Sequence, residues 1–385
     1  MLSYILTAFI TSLIAVTWIH PTIVKIARDK NIVDNPGIRK LQSCPVPVLG
    51  GVAIFFGIII GLCFTSGYVA SASLMPIIAA MLIMLYIGTI DDIVNLSAKK
   101  RFIMEIGVIL LLIFTNNMLI DDFHGLWGIN DISRGVAIPL TTIAAVGIIN
   151  SINLIDGVNG LSSGYCILAS GVFGAFFYIT GNTPMAILAS VCIGSLLPFF
   201  FHNVFGKSSK MYIGDGGALT MGVTMSAFVI STLNTDTTNS DILSDISGLI
   251  PFTLAIMIIP VTDTLRVMSM RIMSGVSPFH PDKTHLHHLF INHGFSHAGT
   301  TMMILLLNTI VIITQLLTWY AGYSAEVQLY IVIAMGAIFS GGLYYGLNAL
   351  HNEHPCKRAM RAIGRTTHIE RKGVFLVLQR IVDRL

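Results

Sequence analysis

The stretch LSYILTAFITSLIAVTWIHPTI, residues 2–23, contains no charged residue. A helix needs about 20 mostly apolar residues to cross the hydrocarbon core of a bilayer, and this stretch is long enough. Further segments of the same kind follow along the chain. The predicted spans cover residues 2–23, 48–66, 71–90, 102–120, 135–151, 161–180, 184–203, 212–233, 246–265, 301–320 and 327–349. The sequence therefore predicts an all-α polytopic membrane protein with about 11 transmembrane helices.

The composition supports a membrane protein. Hydrophobic residues make up 54% of the 385 residues and charged residues 11%, and the mean hydropathy is +0.79, far from the balance of a soluble domain. The five cysteines are scattered without C-x-x-C spacing, so neither a disulfide framework nor a thiolate metal site is predicted. Residues 2–23 lack a basic leader and a small-residue cleavage motif, which favours a retained helix over a cleaved signal peptide.

The lysines and arginines predict the orientation, because they concentrate in cytoplasmic loops. All 22 of them except Arg134 fall in one alternating set of loops, at 24–47, 91–101, 152–160, 204–211, 266–300 and 350–385. This places the N-terminus outside and the C-terminus inside, which in a bacterial inner membrane means periplasm and cytoplasm. Residues 1–349 would form an integral membrane domain with these loops as its active face, and residues 350–385 a basic cytoplasmic tail.

The tail ends in RKGVFLVLQRIVDRL, residues 371–385, where apolar residues recur at helical spacing between basic ones. An interfacial helix attracted by anionic lipid fits this pattern. A cytosolic helix folded over the loops fits equally well.

Asp91 and Asp92 end the third predicted span. An ordinary polar boundary would explain a lone aspartate there. Two adjacent carboxylates, however, face each other and the negative end of a helix dipole, so a cation is expected to compensate them. That cation is either a metal or one of Lys99, Lys100 and Arg101, which close the same loop.

Two glycine-rich segments lie on the same predicted side. NLIDGVNG, residues 153–160, forms a tight loop that can present carboxylate and amide groups, although a plain turn would also fit. In YIGDGGALTMG, residues 212–222, free N–H groups at a helix start suit phosphate, and Asp215 offers a hard oxygen ligand for Mg²⁺. A simple helix N-cap is the alternative for Asp215.

A histidine-rich segment, SPFHPDKTHLHHLF at 277–290, completes the set. Imidazoles and cationic side chains beside a phosphate site explain it. Zinc competes, but H-x-H-H is not the usual ligand spacing and no cysteine lies nearby. Asp263 is expected to pair with Arg266, three residues further on.

Taken in order, these segments closely resemble the polyprenyl-phosphate N-acetylhexosamine-1-phosphate transferases (glycosyltransferase family 4), in particular the branch that primes O-antigen and enterobacterial common antigen. The resemblance runs from DNPGIRKLQSCPVPVLGG at 34–51 to HLHHLFINHGF at 285–295. It implies a cytoplasmic active site that depends on Mg²⁺, or alternatively Mn²⁺. It also implies transfer of N-acetylglucosamine 1-phosphate from UDP-N-acetylglucosamine to undecaprenyl phosphate. The products would be undecaprenyl-diphospho-N-acetylglucosamine and UMP, at the start of lipopolysaccharide or a related surface glycan.

The resemblance assigns residues as follows. Asp91, Asp92 and Asp156 are the expected catalytic residues, and Asp215 with Asp92 the expected metal ligands. Expected substrate-binding residues are Lys40, Asn153, Asn159, Gly214, Gly216, Arg266, His280, Lys283, His285, His287 and His288. Asn159 and Ala218 depart from the family pattern, which commonly has Asp and often has Ser at these positions. The histidine segment also differs from the P-I-H-H-H of the muramoyl-pentapeptide branch, which favours a small N-acetylhexosamine donor.

Several alternatives stay open at this point. The donor could be another UDP-N-acetylhexosamine, and the reaction could proceed in one step or through a covalent aspartyl intermediate. From a different class, an ion-coupled secondary transporter would require inverted repeats and acids near the bilayer midplane. The predicted acids cluster at one surface instead, which favours an enzyme. A homodimer is compatible with the sequence, and no nucleic-acid partner is expected.

Overall fold

The computed structural model describes residues 1–35, 44–65, 71–235, 248–280, 282–369 and 373–384. Over these residues the protein is almost entirely helical. A two-residue antiparallel ladder joins β1 (Val33–Asp34) to β2 (Val46–Pro47). The α-helices are α1 (Leu2–Asp29), α2 (Gly50–Thr65), α3 (Ser71–Val94), α4 (Ala98–Asn116), α5 (Arg134–Leu154), α6 (Leu161–Ile179), α7 (Thr183–Phe205), α8 (Gly214–Leu233), α9 (Leu249–Met273), α10 (Leu286–Asn292), α11 (His297–Tyr320), α12 (Ala325–Ala337), α13 (Leu343–Ala349), α14 (Pro355–Thr366) and α15 (Gly373–Val382).

Two shorter helical segments complete the chain. A 3₁₀ turn covers Leu126–Gly128, and a π-helical turn, Ile338–Gly342, joins α12 to α13. The final predicted span therefore contains a π-bulge at its centre, with Gly341 and Gly342 inside it.

The prediction of an all-α polytopic membrane protein is confirmed. Within the described ranges, nine helices are long and apolar enough to cross a membrane, counting α12 to α13 as one. The other two predicted spans are also helical, but α2 has only 16 residues and α4 carries Lys99, Lys100, Arg101 and Glu105 in its first two turns. The count of eleven and the orientation therefore stay predictions.

Helix α8 lies at the centre of the bundle and packs against α2, α3 and α5. Its first turns are rich in glycine, which allows neighbouring backbones to approach closely. A Cβ on Gly88 of α3 would overlap the backbone of Asp215 and Gly216, and one on Gly51 of α2 would overlap Gly217. These contacts fix the start of α8 against the start of α2 and the last two turns of α3.

The tail folds back on the bundle through α15. The Phe375 ring lies 5.0 Å from that of Phe205 at the end of α7. The Asp383 carboxylate accepts hydrogen bonds of 3.0 Å from the backbone N–H groups of Lys207, Ser208 and Ser209. Helix α15 and the residue that follows it therefore contact the end of α7 and the loop after it.

Candidate active site

A cavity of about 430 Å³ collects residues from all four sequence motifs. Its lining residues come from the first loop, the end of α3, the loops before α6 and α8, and the histidine segment. They are Val33, Asp34, Val48, Asp91, Asp92, Asn95, Asp156, Gly157, Val158, Asn159, Asn203, Tyr212, Gly214, Asp215, His288 and His297. Segments more than a hundred residues apart therefore converge on one concave, strongly acidic site.

Asp92 caps the N-terminus of α8 from the neighbouring helix α3. Its Oδ1 accepts a 3.1 Å hydrogen bond from the Asp215 N–H, and its Oδ2 a 3.3 Å bond from the Gly216 N–H. Gly214 makes this approach feasible, because its φ is +68° and a Cβ there would lie 2.6 Å from Asp92 Oδ2. The capping role considered for Asp215 belongs to Asp92 instead.

Asp215 points into the cavity from the first turn of α8. Its Oδ1 accepts a 2.7 Å hydrogen bond from Asn153 Nδ2, and its Oδ2 lies 3.8 Å from Arg101 Nη1. Two residues predicted from separate motifs, Asn153 and Asp215, are therefore in direct contact.

Asp91 is held by a cation and by the backbone. Arg101 Nη1 donates to its Oδ2 at 3.1 Å, and the Leu96 N–H donates to its Oδ1 at 2.7 Å. Of the three basic residues considered as compensating cations, Arg101 is the one in contact, while Lys99 and Lys100 are exposed. Arg101 therefore balances part of the negative charge of the cavity, beside Asp91 and Asp215.

Asp156 opens onto the cavity beside the same charges. The surrounding protein, with the negative charges of Asp215 and Asp92, raises the pKa of Asp156 to about 8. The neighbouring carboxylates disfavour the charged form of Asp156. A cation bound between them would stabilise that charged form.

The oxygen donors of Asp92, Asp156 and Asp215 fit a magnesium ion. Over the described ranges, no three His, Cys, Asp or Glu side chains form a preformed metal centre. This is compatible with Mg²⁺, which is commonly bound by one or two carboxylates and completes its shell with water and substrate phosphates. The residues present therefore suit a metal that arrives with a phosphorylated substrate.

The histidine segment meets the cavity through His288, while His287 packs behind it. A Cβ on Gly157 would overlap the His287 ring, so the 152–160 loop lies directly on this imidazole. Burial, with the nearby His288 and His285, lowers the pKa of His287 to about 3. His287 is therefore neutral at physiological pH and supports the loop as a packed ring.

Other predicted residues hold the segment in place. Asp263 accepts a 2.6 Å hydrogen bond from Arg266 Nη2, pairs with His285 Nδ1 at 2.9 Å, and accepts from the Leu286 N–H at the start of α10. Arg266 also donates to the Thr284 carbonyl at 2.7 Å. The predicted pairing of Asp263 with Arg266 is confirmed, and neither Arg266 nor His285 lines the cavity.

The remaining predicted residues fall in different places. His280 and Lys283 are exposed and outside the cavity lining, Asn159 lines it, and Lys40 lies outside the described residues. Gly216 contributes its N–H to Asp92. The catalytic, metal-binding and substrate-binding roles themselves stay predictions.

Sequence reasoning missed several lining residues, including Asn203, Tyr212 and His297. Asn203 Oδ1 accepts from the Gly160 N–H at 2.6 Å, and its Nδ2 donates to the Met211 carbonyl at 2.7 Å. It thereby joins the two glycine-rich loops. An amide at the polar end of an apolar helix was the available signal, but its two partners depend on tertiary structure.

Comparison with known proteins matches the chain to one family. The sequence model for glycosyl transferase family 4 matches residues 74–233. A probable undecaprenyl-phosphate N-acetylglucosaminyl 1-phosphate transferase of Bacillus subtilis (strain 168) is 32% identical over 307 residues, 80% of this chain and 82% of the relative. An undecaprenyl-phosphate alpha-N-acetylglucosaminyl 1-phosphate transferase of Escherichia coli O157:H7 is 27% identical, over 82% of this chain and 84% of the relative. The protein of that name from Yersinia pestis is 26% identical, over 73% and 75%.

Proposed function

The chain belongs to glycosyl transferase family 4, and we propose that it transfers N-acetylglucosamine 1-phosphate from UDP-N-acetylglucosamine to undecaprenyl phosphate. It is a multi-pass membrane enzyme of the phosphotransferase class. The observation that carries the proposal is the cavity in which Asp91, Asp92, Asp156 and Asp215 face His288 and His297. The products would be undecaprenyl-diphospho-N-acetylglucosamine and UMP.

The reaction would form one bond and break one. An oxygen of the lipid phosphate attacks the β-phosphorus of the nucleotide sugar, and the bond from that phosphorus to the oxygen bridging the two phosphates breaks. UMP leaves with the electron pair. Since a phosphate monoester has a second pKa of about 6, the nucleophile is largely dianionic at neutral pH. The main barrier is therefore the approach of two polyanions.

The chain's residues address this barrier by position and charge. Asp215 and Asp92 would hold Mg²⁺, with Asp156 in support, and the ion would neutralise charge on the diphosphate when bound. Asp91, fixed by Arg101 and the Leu96 N–H, would orient the lipid phosphate. His288 and His297 lie on the cavity wall as hydrogen-bonding partners for further phosphate oxygens.

The setting of the cavity suits its substrates. The acceptor carries a long isoprenoid that stays in lipid, whereas the donor is a soluble dianion. The acidic residues lie at helix ends, so the reacting groups would meet at the membrane surface, and we place this surface on the cytoplasmic side of a bacterial inner membrane. Initiation of an O-antigen or a related surface glycan would follow. A transporter would instead place its acids near the bilayer midplane.

The experiment incubates purified protein with undecaprenyl phosphate, UDP-N-acetylglucosamine and Mg²⁺, and quantifies UMP and lipid-linked sugar with and without EDTA. Equal amounts of both products, lost with EDTA and regained with Mg²⁺ or Mn²⁺, are expected. Parallel reactions with UDP-N-acetylgalactosamine identify the donor. Folded protein that releases no UMP from any UDP-sugar in a panel would overturn the proposal.

A further inference from the structure

Glu105 is a carboxylate with no exposed surface in the second turn of α4, and the reaction described above does not use it. Its Oε2 accepts a 2.5 Å hydrogen bond from Asn150 Nδ2 on α5. Its Oε1 lies 3.5 Å from Arg101 Nε, one helical turn earlier on α4. Burying an ionisable side chain in a membrane bundle costs free energy. The residues that contact Glu105 therefore indicate its role.

The Arg101 guanidinium lies between acids from three helices. While Nε faces Glu105, Nη1 lies 3.1 Å from Asp91 Oδ2 on α3 and 3.8 Å from Asp215 Oδ2 on α8. Arginine stays protonated in proteins and offers donors along two edges of a rigid plane. A lysine has one nitrogen and could not face Glu105 and Asp91 in this way.

We propose that Arg101 is a positioning residue and the fixed cation of the active site, and that Glu105 and Asn150 hold its guanidinium in place. The inference rests on the proposed function and deepens it. Asp91 is held at the cavity wall by Arg101, and the same charge offsets part of the repulsion around Asp215. The site would thus need one exchangeable cation, the metal ion, because Arg101 of α4 supplies a second positive charge.

The first test replaces Arg101 by Gln, with Lys100→Gln as the matched control. Lys100 is the exposed neighbour of Arg101, so this control removes an equal charge from the same helical turn without touching the acids. Arg101→Gln is expected to lower kcat about 100-fold, since loss of a fixed group near the reacting charges commonly has this size. Lys100→Gln is expected to leave kcat within about twofold, as for most surface substitutions.

Metal binding separates a positioning cation from a merely structural residue. Removing a positive charge a few ångströms from the carboxylates should tighten Mn²⁺ binding about tenfold, because the attraction of the acids for the ion is no longer offset. Electron paramagnetic resonance of free Mn²⁺, titrated into purified wild type and Arg101→Gln without substrate, measures this. Slower turnover with tighter metal binding is expected. Unchanged or weaker Mn²⁺ binding would overturn the proposal.

The coupling of Glu105 to Arg101 gives the second test. Glu105→Gln keeps an acceptor for Asn150 but removes the charge that faces Arg101, and should lower kcat about tenfold with KM for the nucleotide sugar nearly unchanged. If Glu105 acts through Arg101, this loss disappears in the Arg101→Gln background. Full additivity of the two losses would contradict the proposal.

Arg101→Lys keeps the experiment decisive should Arg101→Gln fail to fold. Lysine retains the positive charge but cannot contact Asp91 and Glu105 at the same time. We therefore expect kcat to fall about tenfold while Mn²⁺ affinity stays near wild type. Wild-type kcat in Arg101→Lys would overturn the inference about Arg101 without affecting the proposed function. A wild-type enzyme inactive with every UDP-sugar, but with Mn²⁺ affinities as expected, would overturn the proposed function and leave the fixed cation supported.

Discussion

Asp215 and Asp263 lie in long apolar helices, but their surroundings are opposite. Asp263 accepts from Arg266 and from the Leu286 N–H and pairs with His285, while the nearby Asp282 pairs with Arg271 at 2.7 Å. Asp215 meets one amide and a guanidinium that it shares with Asp91. Asp263 and Asp282 each have an arginine of their own and hold the histidine segment in shape, whereas Asp215 shares one arginine with Asp91 and lies at the cavity.

The pKa directions outside the membrane spans show the same contrast. Partial burial alone would raise the pKa of Asp282, but hydrogen bonds from Arg271 and Thr284 outweigh it and lower the pKa. At Asp156, whose side chain opens onto the cavity, the surrounding protein and the negative charges of Asp215 and Asp92 act together and raise the pKa. An arginine partner therefore distinguishes Asp282, in the histidine segment, from Asp156, which lies beside other carboxylates at the candidate site.

The largest expected effect is that of Asp215→Asn. The change keeps an acceptor for Asn153 but removes the charge assigned to the metal, so turnover should fall about 10³-fold or more, equivalent to about 4 kcal/mol. The thermal midpoint of the purified protein should stay within about 2 °C of wild type. Near-normal turnover would remove Asp215 from the metal site.

Asp263→Ala tests the other side of the comparison. It removes the carboxylate that pairs with the Arg266 guanidinium, which keeps only the Thr284 carbonyl as a hydrogen-bond acceptor. It also leaves the Leu286 N–H at the start of α10 without its acceptor, so the protein should lose about 3 kcal/mol of stability. The thermal midpoint measures the loss, and Asp282→Ala, at a more exposed pair, should cost less. An unchanged midpoint with turnover abolished would instead place Asp263 in the active site.

Gly157→Ala tests the contact between the two regions. Its Cβ would overlap His287, and the repacking should cost about 2 kcal/mol and slow turnover, because the loop carries Asp156. The double variant Gly157→Ala/His287→Ala should recover stability relative to Gly157→Ala. If His287→Ala does not restore stability to Gly157→Ala, the overlap with His287 is not the cause of the loss.

The smallest expected effect is that of Asp383→Asn. This carboxylate accepts hydrogen bonds from backbone N–H groups and lies far from the cavity motifs in sequence. Weaker hydrogen bonds to the 207–209 backbone should cost about 1 kcal/mol, seen as a small drop in the thermal midpoint. Arg384→Gln, at the exposed next residue, is the control. A larger loss of turnover than of stability would assign the tail a role in the reaction.

Much of the fold was predictable because apolar length is a local property. Each predicted segment contains a helix, but the bounds differ from those predicted. Residues 48–49 and 117–120, for example, lie inside predicted spans and are not helical. Helix α9 continues from the predicted end at 265 to Met273, since Arg266 and Arg271 find acidic partners, and the last span is interrupted by a π-helical turn.

The site was predictable as a set of motifs but not as an arrangement. The four aspartates were identified in the sequence, and the spacing of Arg101 and Glu105 on one helical face was visible there. That Asp92 caps α8, that Asn150 meets Glu105, and that His287 packs on Gly157 depend on which helices become neighbours. No local pattern encodes these contacts.

The most direct measurement follows the β-phosphorus itself. UDP-N-acetylglucosamine labelled at that atom is incubated with undecaprenyl phosphate and either the wild type or Asp215→Asn. The account predicts that the wild type moves the label into the lipid fraction in step with UMP release and that Asp215→Asn does not. Label recovered as free phosphate or sugar phosphate, or equal transfer by both proteins, would contradict it.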